Sequence, residues 1–159
     1  MRKIETGTEH LQAKIDNGVG YLIMNRPDAR NAMSGEMNEA MQKSIAEFEL
    51  DTEVRCIVLT GAGKAFCAGG DVKGMGQSIN KPRAEIKKEF LLRIHDLHPI
   101  MFSMRRMPKP IIASCRGASA GAGVSIALAC DLVIASEDAF FTLAYCKIGT
   151  SPDGSSSFH

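Results

Sequence analysis

No apolar run in this chain approaches the length that a membrane-spanning helix needs, and neither sign of charge dominates. Lys and Arg number 19 against 18 Asp and Glu, for a formal charge of +1. That balance gives no reason to expect nucleic acid or an anionic membrane surface as a partner, so an anionic ligand must be met locally. The opening residues, M-R-K-I-E-T-G-T-E-H, carry no apolar segment behind their charges, which reads as no signal peptide. The five cysteines, at 56, 67, 115, 130 and 146, include no C-x-x-C pair. An odd count without that spacing argues against zinc and against a disulfide frame, and for reduced thiols in a cytoplasmic setting. Internal repeats, low-complexity segments and linkers are also missing. Residues 1–159 therefore read as a single domain, with 45% hydrophobic residues to build an ordinary core.

What is present alternates between two periods. Residues 11–15 and 19–24 flank Asn17-Gly18, a dipeptide suited to a two-residue hairpin turn. A loop, N-R-P-D-A-R-N-A, leads to Ser34 as a helix cap, and Met37, Met41, Ile45 and Phe48 then recur at helical spacing over 34–49. Residues 73–81 are glycine-rich and aperiodic, which predicts a mobile loop. Pro82 then opens a long helix with Ile86, Phe90, Ile94, Leu97 and Met101 as its buried stripe, ended by M-P-K-P at 107–110. Short strands follow at 132–135 and 140–143. Strands alternating with helices indicate an α/β domain with a largely parallel sheet.

Two stretches share one design. C-I-V-L-T from Cys56 runs into G-A-G-K-A-F-C-A-G-G-D, and the strand at Ile111-Ile112 runs into a small-residue turn over 117–123 and a buried helix over 124–129. Side chains this small admit a ligand to the backbone, and the first N–H groups of a helix lack intrahelical partners. Such a corner can hold a developing negative charge. Close packing of helix on strand explains either stretch taken alone. Nucleotide binding is excluded by spacing: the phosphate loop needs a glycine where Val58 stands, and Phe66 and Ile126 break the dinucleotide fingerprint.

A-F-C-A-G-G-D-V-K and K-P-I-I-A-S-C-R-G-A-S-A-G-A-G-V-S-I-A-L-A-C-D, with N-R-P-D-A-R-N-A upstream, closely resemble the crotonase (enoyl-CoA hydratase/isomerase) superfamily over nearly the whole chain. The resemblance implies a crotonase-like spiral of repeated β-β-α units, acyl-CoA thioesters of fatty-acid metabolism as ligands, and no cofactor beyond the coenzyme A of the substrate. It puts the two oxyanion donors at the main chain of Gly70 and Ala122, where glycine is usual at the second. It puts coenzyme A contacts at Asp28, Ala29 and Arg30 and along Ala68, Gly69 and Asp71. The two glutamates of the family's hydratases fall at Ser125 and Tyr145. A hydroxyl with a pKa of about 10 or higher cannot serve as that acid–base pair near neutral pH, so simple hydration is disfavoured.

The remaining carboxylate is Asp153, in G-T-S-P-D-G-S-S-S-F, which resembles the branch with a catalytic aspartate there: ring-epoxide and enoyl-CoA isomerases and the 4-chlorobenzoyl-CoA dehalogenase. Burial against Ile148 and Phe158 would suit a proton shuttle, while Ser-Pro-Asp-Gly is equally an ordinary turn or helix cap. His98 matches the dehalogenase's histidine base, and Tyr145, in the acyl site, falls where that enzyme has a tryptophan. His10, His95 and His159 share no metal-ligand spacing. The expected function is isomerisation of an unsaturated or ring-epoxide acyl-CoA through an enolate. The alternatives are an aromatic acyl-CoA dehalogenase or hydrolase with an Asp nucleophile, and a non-catalytic acyl-CoA-binding or assembly module. The family pattern continues beyond residue 159 with a helical segment and a homotrimer or dimer of trimers, so the final element reads as cut short.

Overall fold

Alternation along the strands fixes the sheet. The computed structural model describes residues 1–154, 156 and 157. Strand β2 (Leu11–Asp16) buries Leu11, Ala13 and Ile15, and β3 (Val19–Met24) buries Gly20, Leu22 and Met24. The same period buries Ile57 and Leu59 in β4 (Cys56–Gly61) and Ile111 and Ala113 in β5 (Ile111–Cys115). Register sets Ala13 beside Leu22, Leu22 beside Leu59 and Leu59 beside Ala113, one continuous apolar row. A slip of one residue would turn that row to the other face.

The six-stranded sheet has the order β1-β2-β3-β4-β5-β7, with β1 (Arg2–Ile4) and β7 (Leu132–Ala135) at its edges. Pairing is antiparallel from β1 to β3 and parallel from β3 through β4 and β5 to β7. The expected largely parallel sheet is thus mixed, because the opening hairpin contributes antiparallel pairs. Its turn residues Asn17 and Gly18 take φ values of 51° and 83°, the left-handed geometry that a two-residue hairpin requires.

Helix α1 (Gly35–Leu50) begins where the Ser34 hydroxyl accepts the Met37 N–H at 3.2 Å. Its buried face carries Met37, Met41, Ile45 and Phe48, as their spacing predicts. The Phe48 ring lies against Gly20, where a Cβ would come within 2.8 Å of it. At the far end Lys109 Nζ donates to the carbonyls of Phe48 and Asp51, each at 2.6 Å, and places a cation where the helix dipole favours one.

Two expectations fail between 72 and 106. Residues 72–76 form a short helix, α2 (Val72–Gly76), inside the predicted loop, because the Asp71 carboxylate accepts the Gly74 N–H at 3.0 Å and caps it. In α3 (Arg83–Arg106), Leu97 and Met101 are buried with Ile100 and Met104, but Ile86, Phe90 and Ile94 are only half-buried. Phe90 and Ile94 face a cleft and not the core.

A second ladder runs beside the sheet. Met33 bridges Gly70, Cys67 bridges Ser119, and β6 (Ala118–Ala120) pairs with β8 (Phe140–Thr142), all parallel. The predicted turn over 117–123 therefore contains a strand before α4 (Ala122–Ala129) begins. Strand, short strand and helix repeat as the chain winds, which is the expected spiral of β-β-α units. All five cysteines are free; Cys67, Cys115 and Cys130 are buried, while Cys146 is exposed. Among the described residues no helix is long and apolar enough to cross a membrane. Ser155, Phe158 and His159, and with them the helix expected after Asp153, lie outside the described residues.

Phe48 is fully buried between α1 and the sheet at Gly20, so Phe48→Ala should lower unfolding stability by about 3–5 kcal/mol. Urea denaturation checks this: the midpoint should fall while the slope stays constant.

Candidate active site

The first corner follows β4. Asn31, fully buried with a left-handed φ of 57°, holds it: its side-chain NH2 donates to the carbonyls of Ala62 at 2.9 Å and Ala65 at 2.8 Å, and its Oδ1 accepts the Arg26 N–H at 2.9 Å. Cys67 Sγ donates to the Asn31 carbonyl at 3.2 Å and accepts the Gly69 N–H at 3.4 Å. Burial pushes that thiol up to about 12, so it is a neutral packing group and not a nucleophile.

The second corner is the start of α4. Gly121 supplies φ of 50° at the helix entry, and Gly123 lies so close to the first corner that a Cβ there would fall 2.3 Å from the Cys67 carbonyl oxygen. Ala122 is the first residue of α4, so its N–H has no acceptor within the helix. Among the described residues, neither this N–H nor that of Gly70 has a hydrogen-bond partner. Both residues line one cleft of about 1110 Å³.

Asp153 and Tyr145 line the same cleft. Tyr145, 7% exposed, donates its hydroxyl to Asp153 Oδ1 at 2.6 Å. Ser125, fully buried, donates to the Asp153 carbonyl at 2.9 Å, with its oxygen 3.2 Å from the Tyr145 hydroxyl. The hydroxyls of Ser125 and Tyr145 thus both anchor Asp153. Its backbone carbonyl accepts the Ser156 N–H at 3.2 Å, so the residue forms a turn, while its carboxylate points to Tyr145. Burial, and then the Asp153 carboxylate, push the Tyr145 hydroxyl above its usual pKa of about 10.

These features have counterparts in known proteins. Residues 14–158 match the enoyl-CoA hydratase/isomerase family. The chain belongs to that family. It is 34% identical over 145 residues to the 1,2-epoxyphenylacetyl-CoA isomerase of Escherichia coli K12, covering 91% of this chain and 54% of that one. It is 33% identical over 150 residues to 4-chlorobenzoyl coenzyme A dehalogenase-1 of an Arthrobacter species, covering 94% and 53%. The crystal structure of an enoyl-CoA hydratase from Polaromonas sp. JS666 superposes with a TM-score of 0.83 at 36% identity, covering 91% of this chain and 55% of that one. The chain spans about half the length of the curated relatives it matches.

Of the family positions picked out by sequence, Ala68, Gly69, Gly70, Asp71, Ala122 and Tyr145 come together on the cleft wall, as do Asp153 and His98. His98 makes an edge-on contact with Phe102, ring centroids 6.3 Å apart. Asp28, Ala29 and Arg30 do not line the cleft. They form the turn beside it, and the Arg30 carbonyl accepts the Ala68 N–H at 2.9 Å. The Asp71 carboxylate is occupied internally. It accepts the Gly74 N–H and the Arg26 guanidinium at 2.9 Å, and these hold it below the usual carboxylate range. Ile148 lines the cleft, whereas Phe158 lies outside the described residues. Among the described residues no cluster of His, Cys, Asp or Glu could hold a metal ion.

Sequence reasoning missed the Asn31 anchor and the Arg26–Asp71 ion pair. The only local signal was an asparagine in a loop, a residue that tolerates left-handed backbone.

Tyr21 and Tyr145 are the only tyrosines. In a Tyr21→Phe background, absorbance titration should show the remaining phenol ionising above pH 10. The raised pKa means that Tyr145's contribution to stability is complete below pH 10 and is lost as pH rises through the folded-state value. Ionisation at or below pH 10 would show Tyr145 to be solvated and unpaired.

Proposed function

We propose that this protein isomerises unsaturated acyl-CoA thioesters, ring epoxides included, by moving one proton through an enolate. The observation that carries the reading is the meeting, on one cleft, of two unpartnered main-chain N–H groups and one carboxylate, with hydroxyls where hydration would need two further carboxylates. The thioester oxygen accepts from Gly70 and Ala122. The carboxylate of Asp153 removes a proton from the α-carbon, the C–H pair shifts toward the carbonyl, and the negative charge settles on the held oxygen. The same carboxyl then returns the proton to the γ-carbon, and the double bond ends one position nearer the thioester. Losing one preorganised donor of this kind typically costs about 3 kcal/mol in the transition state.

Tyr145 and Ser125 act on Asp153 and not on the substrate: they fix the carboxyl against the wall, and Tyr145 stabilises its charged form. Coenzyme A lies along the Asp28–Arg30 turn and the 68–71 backbone. No cofactor beyond the coenzyme A of the substrate enters this scheme. The same reading expects a cytoplasmic protein assembled as a homotrimer or dimer of trimers, and sedimentation tests the assembly.

Asp153→Asn should lower isomerase turnover by about 100-fold or more while thioester affinity changes little, since an amide keeps the shape and cannot take the proton. Hydration of short trans-2-enoyl-CoA, followed by loss of the conjugated absorbance, should fall far below the typical enzyme turnover of about 10 per second. Full turnover by folded Asp153→Asn on every thioester the parent converts would remove Asp153 from the mechanism. Because His98 lines the cleft and the dehalogenase is a relative, a second reading is attack by Asp153 on an aromatic acyl-CoA. Single turnover in labelled water separates them: a nucleophile acquires the label in its carboxylate, and a proton shuttle does not. Thioester binding without any turnover would mark a binding or assembly module.

A further inference from the structure

Another wall of the cleft is polar in a way that the proposed chemistry does not use. Phe90, Ile94 and Leu97 of α3 make this wall apolar, yet Arg93 stands among them, half-buried. Its guanidinium makes one long hydrogen bond, to the Gly74 carbonyl at 3.5 Å, and takes part in none of the ion pairs among the described residues. Three carboxylates stand near it and none forms an ion pair with it: Asp71 and Glu89 both feel its charge but are engaged by Arg26 and Lys81, and Asp96 follows by three residues without pairing. On α1, Asn38 also lines the cleft; it is 8% exposed, and its Oδ1 is buried with no hydrogen-bond partner among the described residues. The χ2 torsion of asparagine is broad, so its amide can turn an NH2 donor toward a ligand.

A hydrocarbon tail laid here would remove water from the guanidinium and the amide and give them nothing in return. We infer that this wall receives an acyl group ending in a carboxylate, so that the preferred ligands are CoA monothioesters of dicarboxylic acids. Arg93 pairs with the distal carboxylate through two parallel N–H bonds, and Asn38 donates another. The inference rests on the reading of the cleft as an acyl-CoA site.

Calorimetric titration with hexanoyl-CoA and adipoyl-CoA, equal in chain length and different only in the terminal carboxylate, tests it. The parent should bind adipoyl-CoA about tenfold more tightly, the size expected for hydrogen bonds to a charged group. In Arg93→Gln, checked for folding by circular dichroism, that ratio should fall to about one. Raising salt from about 0.05 to 0.5 M should shrink it in the parent, and this measurement needs no variant. Equal affinity of the parent for both thioesters overturns the inference while leaving the acyl-CoA reading intact. So does a ratio that survives Arg93→Gln, including the case in which both thioesters weaken together because Arg93 meets the coenzyme A part. If the folded parent binds neither thioester, the acyl-CoA reading fails first and this inference fails with it.

Discussion

At the corners of this fold, main chain packs directly on main chain, and the surrounding structure is arranged to permit that approach. A Cβ on Gly61 would fall 2.2 Å from the Phe66 carbonyl oxygen, on Gly117 2.1 Å from that of Lys64, and on Gly123 2.3 Å from that of Cys67. Carbonyls cannot retreat as the end of a flexible side chain can, so these three positions fix how tightly successive turns of the spiral nest. The parallel ladder from Met33 through Gly70 and from Cys67 through Ser119 to β8 follows from that nesting. So does the presence on one cleft of two N–H groups without a partner among the described residues. Each lies at the point where a strand gives way to a turn or helix and the regular hydrogen-bond pattern has run out.

Polar side chains, some fully buried, reinforce the corner. Asn31 ties three main-chain groups of two loops, and Arg26 joins the Asp71 carboxylate that caps α2. The bonds from Asn31 to Ala62 and Ala65 and from Arg26 to Asp71 link residues 31, 34 and 45 positions apart, yet each side chain sits in a locally ordinary loop. On the opposite wall, Ser125 and Tyr145 do for Asp153 what Asn31 does for the first corner. The cleft is therefore bounded by two fixed walls, joined by the less buried inner face of α3.

How much of this was legible depended on whether the cause was local. The Asn17-Gly18 turn, the Ser34 cap and the α1 stripe rest on interactions within a few residues, and each was read correctly. The two small-residue corners were legible as a pair because each carries its strand, turn and helix start in one segment. Helix α2 was not, since its glycines suggest a loop and only the capping carboxylate of Asp71 reverses that suggestion. The outer half of α3 shows the opposite failure: Ile86, Phe90 and Ile94 have the spacing of a core stripe, but periodicity cannot say whether a face meets the core or a cleft. Strand β6 was hidden inside a run of alanine, serine and glycine, because its pairing partners lie at Cys67 and in β8. For the candidate site, the family resemblance singled out Gly70, Ala122, Tyr145 and Asp153, and all four line one cleft. Their grouping, and the hydroxyl bonds that orient Asp153, required the fold.

The corner has one further consequence. Its two free N–H groups belong to the backbone, and glycine packing, not side-chain chemistry, sets their positions. Exchange of residues along the far wall, where Ser125, Tyr145 and Asp153 stand, leaves them in place. Polarity at the corner is thus inherited with the fold, while the polar groups that face it are left to single codons. Such a separation lets a lineage change its chemistry without rebuilding its site.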